Sequence, residues 1–377
     1  MIGANIIRTF FSRSGSAAIN LLVVIMSARF LGDEGMGMIS LLILATTMNT
    51  LLVGLWGGAG LVYLTPRNPV KKLLVIGYSW SVIASLIAIY TFQYFNLFPD
   101  YFGNHVYLLA IIISFGGINM HILLGKEKIK AHNIITFIQS LILLSTLLIQ
   151  FFLLDYIDVN AYLWALYFSF SFVLLSSSIA LMNTKTHKIQ KSYLETFKQT
   201  FKYSITLQSG SAVQLLNYRF SYYIIDYFLG TAMLGRFSVA VQIAEGTLIL
   251  GKSLALVLYS RVSNITAIKK AIETTLPLLK ITAYSALAVT IAILLLPANF
   301  FVLLFGSNFE HTHGILLYLA PGIVFVSATM VFSSFFSGIG QVKINTQGSI
   351  IGLITTLAYL TSLALFMRII ILRRQAD

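Results

Sequence analysis

The stretch Phe30-Leu31-Gly32-Asp33-Glu34-Gly35-Met36-Gly37-Met38-Ile39-Ser40 has a second copy 198 positions later, Phe228-Leu229-Gly230-Thr231-Ala232-Met233-Leu234-Gly235-Arg236-Phe237-Ser238. Both copies read F-L-G-x-x-x-x-G-x-x-S, and each follows an apolar run. The first copy starts near the N-terminus and the second just past the middle of the 377 residues. This spacing predicts two related halves, and in a membrane protein it is typical of a transporter with its pathway between them.

The composition places the chain in a membrane. Hydrophobic residues make up 58% of it and charged residues only 10%, whereas a soluble domain is about one quarter charged. Spanning helices satisfy their own backbone and turn apolar side chains to lipid. We therefore predict an all-α polytopic membrane protein.

Eleven apolar runs have about the 20 residues that a spanning helix needs. They cover Ser12–Leu31, Met38–Gly57, Leu73–Tyr94, Val106–Leu124, Ile134–Leu154, Ala161–Met182, Tyr203–Phe228, Leu234–Leu258, Leu276–Leu296, Ile315–Phe336 and Gly348–Ile370. Eleven spans put Arg368, Arg373 and Arg374 outside, so we expect 11–12 helices, with one span miscounted or a twelfth missing after an early stop. The early stop is favoured because the second half is one helix shorter than the first.

Lysine and arginine alternate between loops, which sets the orientation. The lysine-rich loops hold Arg67, Lys71 and Lys72; Lys126, Lys128 and Lys130; Lys185, Lys188, Lys191, Lys198 and Lys202; Arg261, Lys269 and Lys270; and Lys343. We expect these loops and the N-terminus to be cytoplasmic. The net charge of +13 is then a topology signature with some attraction to anionic lipid, and it does not indicate nucleic-acid binding.

The lysine-rich segment after the sixth span divides the chain. We predict an N-terminal lobe over 1–183 with spans 1–6, a linker over 184–202, and a C-terminal lobe over 203–377 with spans 7–11. Tyr193, Leu194, Phe197 and Phe201 share one helical face in the linker, which favours an amphipathic helix on the membrane surface, with a solvated basic loop as the alternative. Because six spans precede the linker, the two repeats are parallel.

Several motifs resemble a Wzx-type flippase, the polysaccharide-export branch of the multidrug/oligosaccharidyl-lipid/polysaccharide superfamily. They are the F-L-G phrase after the first and seventh spans, Gly54-Leu55-Trp56-Gly57-Gly58 at the end of the second, and Ala244-Glu245 with Tyr259-Ser260-Arg261-Val262-Ser263 in and after the eighth. The resemblance extends over essentially the whole chain. It implies two six-helix-type bundles forming a V around a central cavity lined by the first, second, seventh and eighth helices.

The same resemblance implies a function without enzymatic chemistry. The cargo would be an undecaprenyl-diphosphate-linked oligosaccharide, an O-antigen or capsule repeat unit, moved from the cytoplasmic to the outer leaflet of a bacterial inner membrane by alternating access. Membrane lipids, a polysaccharide polymerase and chain-length proteins would be its partners. A cation-coupled multidrug exporter of the same superfamily is the alternative. A membrane enzyme is disfavoured because the longest external loop, 297–314, is short and apolar.

Polar residues inside the spans mark the expected pathway, because an ionisable group in a span is costly unless it faces water or a partner. The substrate-binding candidates are Arg13, Asn20, Gln208, Arg219, Tyr222, Gln242 and Lys252. Arg219 offers a planar donor fork for phosphate oxygens, and Lys252 and Arg13 offer further positive charge. In the alternative interpretation, Arg219 only pairs with Asp226 or Glu245, and Lys252 with Glu245.

Asp226 and Glu245 are candidates for ion coupling. A carboxylate near the midplane can exchange a proton or Na⁺ as its surroundings change during transport. A purely structural role as partner of Arg219 or Lys252 is the alternative. No other cofactor is expected.

The sequence does not favour a nucleotide-binding site or a thiolate metal site. Gly246-Thr247-Leu248-Ile249-Leu250-Gly251-Lys252-Ser253 matches the phosphate-loop pattern, but that motif needs a preceding strand and a solvated loop, and here it falls in an apolar span. ATP is therefore not an expected partner. The chain has no cysteine, which excludes disulfides, a thiol nucleophile and a thiolate metal site.

Overall fold

The described part of the protein consists mainly of helices. The computed structural model describes residues 2–58, 60–94, 102–182, 191–262, 265, 267–341 and 343–359. These residues form α-helices, short 3-10 helices and the turns that connect them, and they contain no β-strand. The helices are α1 (Ile2–Gly54), α2 (Gly60–Leu64), α3 (Val70–Tyr94), α4 (Gly103–Gly125), α5 (Ile129–Phe152), α6 (Val159–Met182), α7 (Tyr193–Leu229), α8 (Thr231–Thr247), α9 (Ile249–Val262), α10 (Ile268–Leu294), α11 (Ala298–Phe305), α12 (Thr312–Gly338) and α13 (343–359).

Seven of the described segments are long and apolar enough to cross a bilayer by length and composition. They are Ser14–Gly54, Val70–Tyr94, His105–Gly125, Ile129–Phe152, Val159–Met182, Ile268–Leu294 and Ser307–Gly338. The chain is therefore an all-α polytopic membrane protein, as its composition predicts. The predicted seventh span corresponds to α7, which is more polar, and the predicted eighth span to the short helices α8 and α9. The predicted eleventh span corresponds in part to α13, and its residues 360–370 lie outside the described part of the chain.

The two repeat glycines that follow Phe-Leu have the same unusual backbone. Gly32 interrupts α1 with φ 70° and ψ −171°, and Gly230 precedes α8 with φ 84° and ψ 166°. A positive φ with an extended ψ is essentially restricted to glycine. The conformation divides α1 into the first two predicted spans, and it shows that the two copies of the phrase fold alike locally.

The predicted eighth span, Leu234–Leu258, is not one regular helix. It is divided into α8 and α9 at Leu248, whose backbone stays close to helical at φ −80° and ψ −3°. Gly246 and Thr247 precede this point, and both residue types are poor helix formers. The segment that matches the phosphate-loop pattern thus lies at the junction of two helices.

The chain divides into two compact units. Unit 1 contains Met1–Ser209 together with two short strips, Thr231–Arg236 and Val302–Phe309. Unit 2 contains Gly210–Gly230, Phe237–Phe301 and Glu310–Asp377. Two strips from the second predicted lobe therefore pack within unit 1.

Unit 1 is built by α1 to α6 and the first part of α7. Its core contains Trp56, Leu73, Ile118 and Leu123, all almost fully buried. The start of α7 closes this core, because Trp56 Nε1 donates a hydrogen bond to the Phe197 carbonyl oxygen at 3.2 Å and the two rings stack 6.2 Å apart.

The predicted linker and the predicted seventh span form one continuous helix from Tyr193. Phe197 and Phe201, expected on the membrane-facing side of a surface helix, instead make edge contacts with Trp80 at 6.5 and 6.3 Å. Large aromatic side chains gain by such packing beyond the area they bury. Residues 184–190 of the predicted linker lie outside the described part of the chain.

Unit 2 is organised around α9, α10 and α12, which pack on one another. Leu258, Val262, Ala271 and Val331 form its buried cluster. The following helix, α13, is tied to the rest of the unit by hydrogen bonds. Asn345 Nδ2 donates to Ser337 Oγ at 2.9 Å, and Thr356 Oγ1 donates to Asn217 Oδ1 on α7 at 2.6 Å.

We expect Trp56→Ala to destabilise unit 1 by about 3–5 kcal/mol, the usual cost of deleting a buried large aromatic side chain. The free energy of unfolding can be measured in mixed detergent micelles by circular dichroism. Trp164→Ala is the matched control, because Trp164 is 48% exposed. Equal losses for the two variants would contradict the described core.

Candidate functional site

Three of the residues selected from the sequence come together in unit 2. Arg219 and Tyr222 are three positions apart on α7, so their side chains share one face. Arg219 Nη1 donates to Tyr222 Oη at 2.6 Å, and Arg219 Nη2 donates to Glu245 Oε1 on α8 at 3.0 Å. We call Arg219, Tyr222 and Glu245 the arginine cluster.

The arginine cluster combines a buried anchor with an accessible charge. Tyr222 is buried and meets Phe237 edge to face at 5.6 Å, which holds the phenol in place. The side chains of Arg219 and Glu245 are 24% and 45% exposed. A guanidinium carries five N–H donors in a fixed fork, so Arg219 can keep both contacts and still donate to a further anion.

The structure also shows which of the two cations, Arg219 or Lys252, pairs with Glu245. Arg219 pairs with Glu245. Lys252 is exposed on α9 and forms no ion pair with any residue that the structure describes. Glu245 is therefore the partner of Arg219 and not of Lys252.

The other predicted residues differ in their positions and in their exposure. Asn20 is exposed on α1, while Gln242 on α8 and Asp226 on α7 are half-buried. Gln208 belongs to unit 1, where a Cβ placed on Gly54 would lie 2.5 Å from its Nε2 atom. The side chain of Arg13 lies outside the described part of the chain.

A second charged cluster, in unit 1, was not selected from the sequence. Asp33 is only 6% exposed. Its Oδ2 accepts from Arg236 Nε at 2.7 Å and lies 2.6 Å from Arg236 Nη2, and its Oδ1 accepts from Asn308 Nδ2 at 2.9 Å. The available signal was the duplicated phrase, because Asp33 follows the first glycine of one copy and Arg236 follows the last glycine of the other.

Unit 1 also has a partly open cavity of about 230 Å³ between α1, α4, α5 and α6. Apolar side chains such as Val53, Ile118 and Phe170 line most of it, with polar contributions from His121 and Gln139. No sequence motif indicates this cavity, because its lining comes from four different helices. Within the described residues, no group of three or more His, Cys, Asp and Glu side chains is placed to hold a metal ion.

Comparison with solved structures identifies the fold. The chain is similar to the lipid II flippase MurJ in an inward closed conformation, with a TM-score of 0.70 at 15% identity over 95% of this chain and 80% of that chain. It is also similar to a multidrug resistance MATE family transporter of the MOP superfamily in an inward-facing conformation, with a TM-score of 0.65 at 16% identity over 96% of both chains. An outward-facing MATE family transporter of that superfamily gives a TM-score of 0.55 at 18% identity over 91% of this chain and 83% of that chain.

No family model matches the sequence, and no curated protein matches it. At these identities the likeness to solved structures shows the fold alone. The chain thus has the fold shared by the MATE transporters and MurJ.

We expect a double-mutant cycle on Arg219→Ala and Glu245→Ala to give a small coupling energy, about 0.2–1 kcal/mol, because partly exposed ion pairs contribute little to stability. The free energy of unfolding in mixed micelles measures this coupling. The same cycle on Asp33 and Arg236, whose carboxylate is nearly buried, should give a larger value. A coupling of about 3 kcal/mol or more at Arg219 would instead indicate a structural pair.

Proposed function

We propose that this protein is a flippase for an undecaprenyl-diphosphate-linked oligosaccharide. In this proposal it moves an O-antigen or capsule repeat unit from the cytoplasmic to the outer leaflet of a bacterial inner membrane by alternating access, with its N-terminus in the cytoplasm. The isoprenoid tail stays in lipid, and the polar headgroup follows a hydrated path through the protein. A polysaccharide polymerase and chain-length proteins would act on the same glycan after translocation.

The observation that carries the proposal is the arginine cluster. A diphosphate headgroup needs a permanent positive charge with several donors, and arginine is the side chain best suited to planar, bidentate recognition of phosphate. Arg219 is positioned by Tyr222 and remains about one quarter exposed. The buried phenol and the partly exposed guanidinium together give a positioned donor that a phosphate group can reach.

Glu245 would allow Arg219 to exchange its carboxylate partner for the diphosphate of the cargo. Its carboxylate neutralises Arg219 in the described state, and a diphosphate would compete with it for the same donors. Protonation of Glu245, or capture of a cation by it, would release Arg219 for the cargo. Glu245 is therefore the ion-coupling candidate that we favour, while Asp226 remains the second.

The remaining candidates have supporting roles in this proposal. Lys252 is an exposed cation on α9 and would attract the headgroup by charge. Asn20, Gln208 and Gln242 would offer hydrogen bonds to sugar hydroxyls, and Arg13 would add positive charge near the predicted cytoplasmic entrance. These assignments follow from side-chain chemistry and from positions on the four helices of the expected pathway.

A cation-coupled multidrug or small-molecule exporter is the second candidate. The fold is equally compatible with it, because MATE family transporters share this fold. The accessible carboxylate of Glu245 favours it, since an acidic group can hold a cationic drug. The flippase is favoured over the exporter because Arg219 on α7 and Lys252 on α9 are cations, which attract a diphosphate and repel a cationic drug.

We expect Arg219→Ala to lower surface glycan in a complemented flippase-deficient strain by about tenfold to a hundredfold, because losing a hydrogen bond to a charged group costs about 1.5–3 kcal/mol. Lys252→Ala should give a smaller loss. Lys280→Ala, which removes an exposed cation of α10, is the control. Full surface glycan from both test variants would remove Arg219 and Lys252 from the site.

We expect Glu245→Gln to abolish the response of transport to an imposed H⁺ or Na⁺ gradient, because the amide can neither titrate nor hold a cation. Proteoliposomes loaded with the lipid-linked oligosaccharide measure this response, and parallel vesicles with a cationic dye test the exporter alternative. Asp226→Asn is the matched variant. A gradient response that survives in both variants would reject carboxylate coupling, and dye movement without glycolipid movement would reject the flippase.

A further inference from the structure

The segment that precedes α3 and the segment that begins α7 are joined at one end of unit 1. Lys72 Nζ donates to the Lys191 carbonyl oxygen and lies 4.9 Å from the centre of the Tyr193 ring. Lys191 Nζ donates to Asn68 Oδ1 at 3.4 Å and to Gln199 Oε1 at 2.7 Å. Asn68 is only 2% exposed. Two lysine side chains are therefore held in place by neutral groups from two segments.

A neighbouring arginine is held in a similar way. Arg67 Nη1 donates to the Tyr63 carbonyl oxygen at 2.7 Å, and its Cζ atom lies 3.8 Å from the centre of the Tyr63 ring. The same ring stacks on Tyr203 of α7 at 4.7 Å. Arg67 directly precedes Asn68 in the chain, so both sets of contacts lie at the same end of unit 1. We call Arg67, Lys72 and Lys191, together with Tyr63 and Tyr193, the basic platform.

The basic platform carries positive charge that its own contacts do not neutralise. The partners that hold its three cations are carbonyl oxygens, amide oxygens and tyrosine rings, and none of them has a formal charge. Segments 60–72 and 191–203 together contain six lysine and arginine residues and one acid, Glu195. Lys71 and Lys72 also lie in the first turn of α3, which has no acidic residue, and the helix macrodipole disfavours cations there. An anion bound at the platform would relieve this repulsion.

Each cation of the platform has donors left for such an anion. A lysine ammonium has three N–H donors and a guanidinium has five, whereas the contacts above use one donor of Arg67, one of Lys72 and two of Lys191. Because these contacts already restrict the three side chains, a phosphate that binds them loses less rotamer freedom than it would at mobile lysines. Arg67 is exposed, and the two lysines are half-buried.

The tyrosine rings favour a lipid headgroup over a soluble anion. Tyr63 is 46% exposed and Tyr193 is 50% exposed, and tyrosine is enriched where the membrane core meets the headgroups. The platform also adjoins the first residues of Val70–Tyr94, a segment long and apolar enough to cross a bilayer. Its cations therefore lie where the phosphates of one leaflet are found.

We propose that the basic platform binds the phosphate of an anionic phospholipid in the leaflet on the predicted cytoplasmic side. The phosphate oxygens accept hydrogen bonds from Arg67, Lys72 and Lys191, and the bound lipid ties the segment before α3 to the start of α7. The inference goes beyond the proposed transport function and does not depend on it, because lipid binding is measured without cargo.

Native mass spectrometry of the purified protein with phosphatidylglycerol measures this binding. In the double variant Arg67→Gln, Lys72→Gln we expect an affinity about tenfold lower or more, because each basic residue near anionic lipid contributes about fivefold. The double variant Lys130→Gln, Arg261→Gln is the matched control, because it removes two exposed cations from other predicted cytoplasmic helix ends. Equal losses in the two double variants would overturn the proposal, since a basic surface without a site predicts that result.

A gain of binding tests the platform without the risk of misfolding. Glu195→Gln removes the one acid of the two segments and should raise the affinity for phosphatidylglycerol about twofold to fivefold. Glu273→Gln, which removes an exposed acid of α10, is the control and should leave the affinity unchanged. The same affinity in both variants would contradict a lipid site at the platform.

Thermal unfolding in mixed micelles separates a lipid from a free phosphate. Phosphatidylglycerol should raise the unfolding midpoint of the wild type more than phosphatidylcholine does, because a ligand of the folded state stabilises it. This difference should disappear in Arg67→Gln, Lys72→Gln. Inorganic pyrophosphate at the same concentration should give no comparable rise. A rise with pyrophosphate equal to that with phosphatidylglycerol, or equal midpoints in the two lipids, would overturn the assignment to an anionic phospholipid.

Discussion

A bilayer interior offers no hydrogen bonds from solvent, and this constraint governs every polar group in the chain. The backbone meets it by forming long helices, which satisfy their own N–H and C=O groups. Hydroxyl side chains meet it locally. Ser40, Thr47 and Thr50 each donate to the carbonyl oxygen four residues earlier on α1, at 2.7, 2.6 and 2.8 Å. A hydroxyl satisfied in this way can face lipid, so polar residues at helical spacing do not by themselves indicate water.

Two ion pairs join different helices, and they are more informative than the hydroxyl groups. Arg219 on α7 reaches Glu245 on α8, and Asp33 on α1 reaches Arg236 on α8. The two pairs differ in their surroundings. Asp33 is nearly buried and accepts from three nitrogen-bearing groups including the backbone of Glu34, which suits a structural junction. Glu245 stays almost half exposed, which suits exchange with a ligand or an ion.

Local features of the fold were readable from the sequence. Apolar runs located the long helices, and the phrase Phe-Leu-Gly located the break at Gly32, because both depend on residues close together in the chain. Long-range features were not readable. That Gly37 meets Thr231, or that Phe197 packs on Trp56, depends on how distant segments meet in space. Pattern reasoning assigned Phe197 to the membrane surface because an apolar stripe looks the same whether lipid or protein covers it.

The candidate site likewise combines features that local sequence predicts with contacts that it does not predict. The sequence pattern selected Arg219 and named Glu245 as one of two possible partners, and the structure shows the ion pair between Arg219 and Glu245. Gln208 and Arg219 were selected together because both lie on α7, yet the compact units separate them. A single helix can serve two different packing environments along its length, and helical periodicity carries no information about that change.

The two copies of the F-L-G phrase cross closely, since Gly37 lies against the Thr231 carbonyl oxygen and Gly235 against the Asp33 carbonyl oxygen. Only one edge of this glycine crossing carries an ion pair, between Asp33 and Arg236, and this difference bears on the history of the gene. If the two halves descend from one duplicated segment, they were identical at first, and a two-fold crossing then had matching residues on both edges. An ancestor with the acid and the base in each half would have held two ion pairs, and an ancestor without them would have held none. The present protein holds one, between Asp33 and Arg236. On that history, the halves diverged at this crossing after duplication, and exchanging the two copies of the phrase between halves would not restore an equivalent molecule.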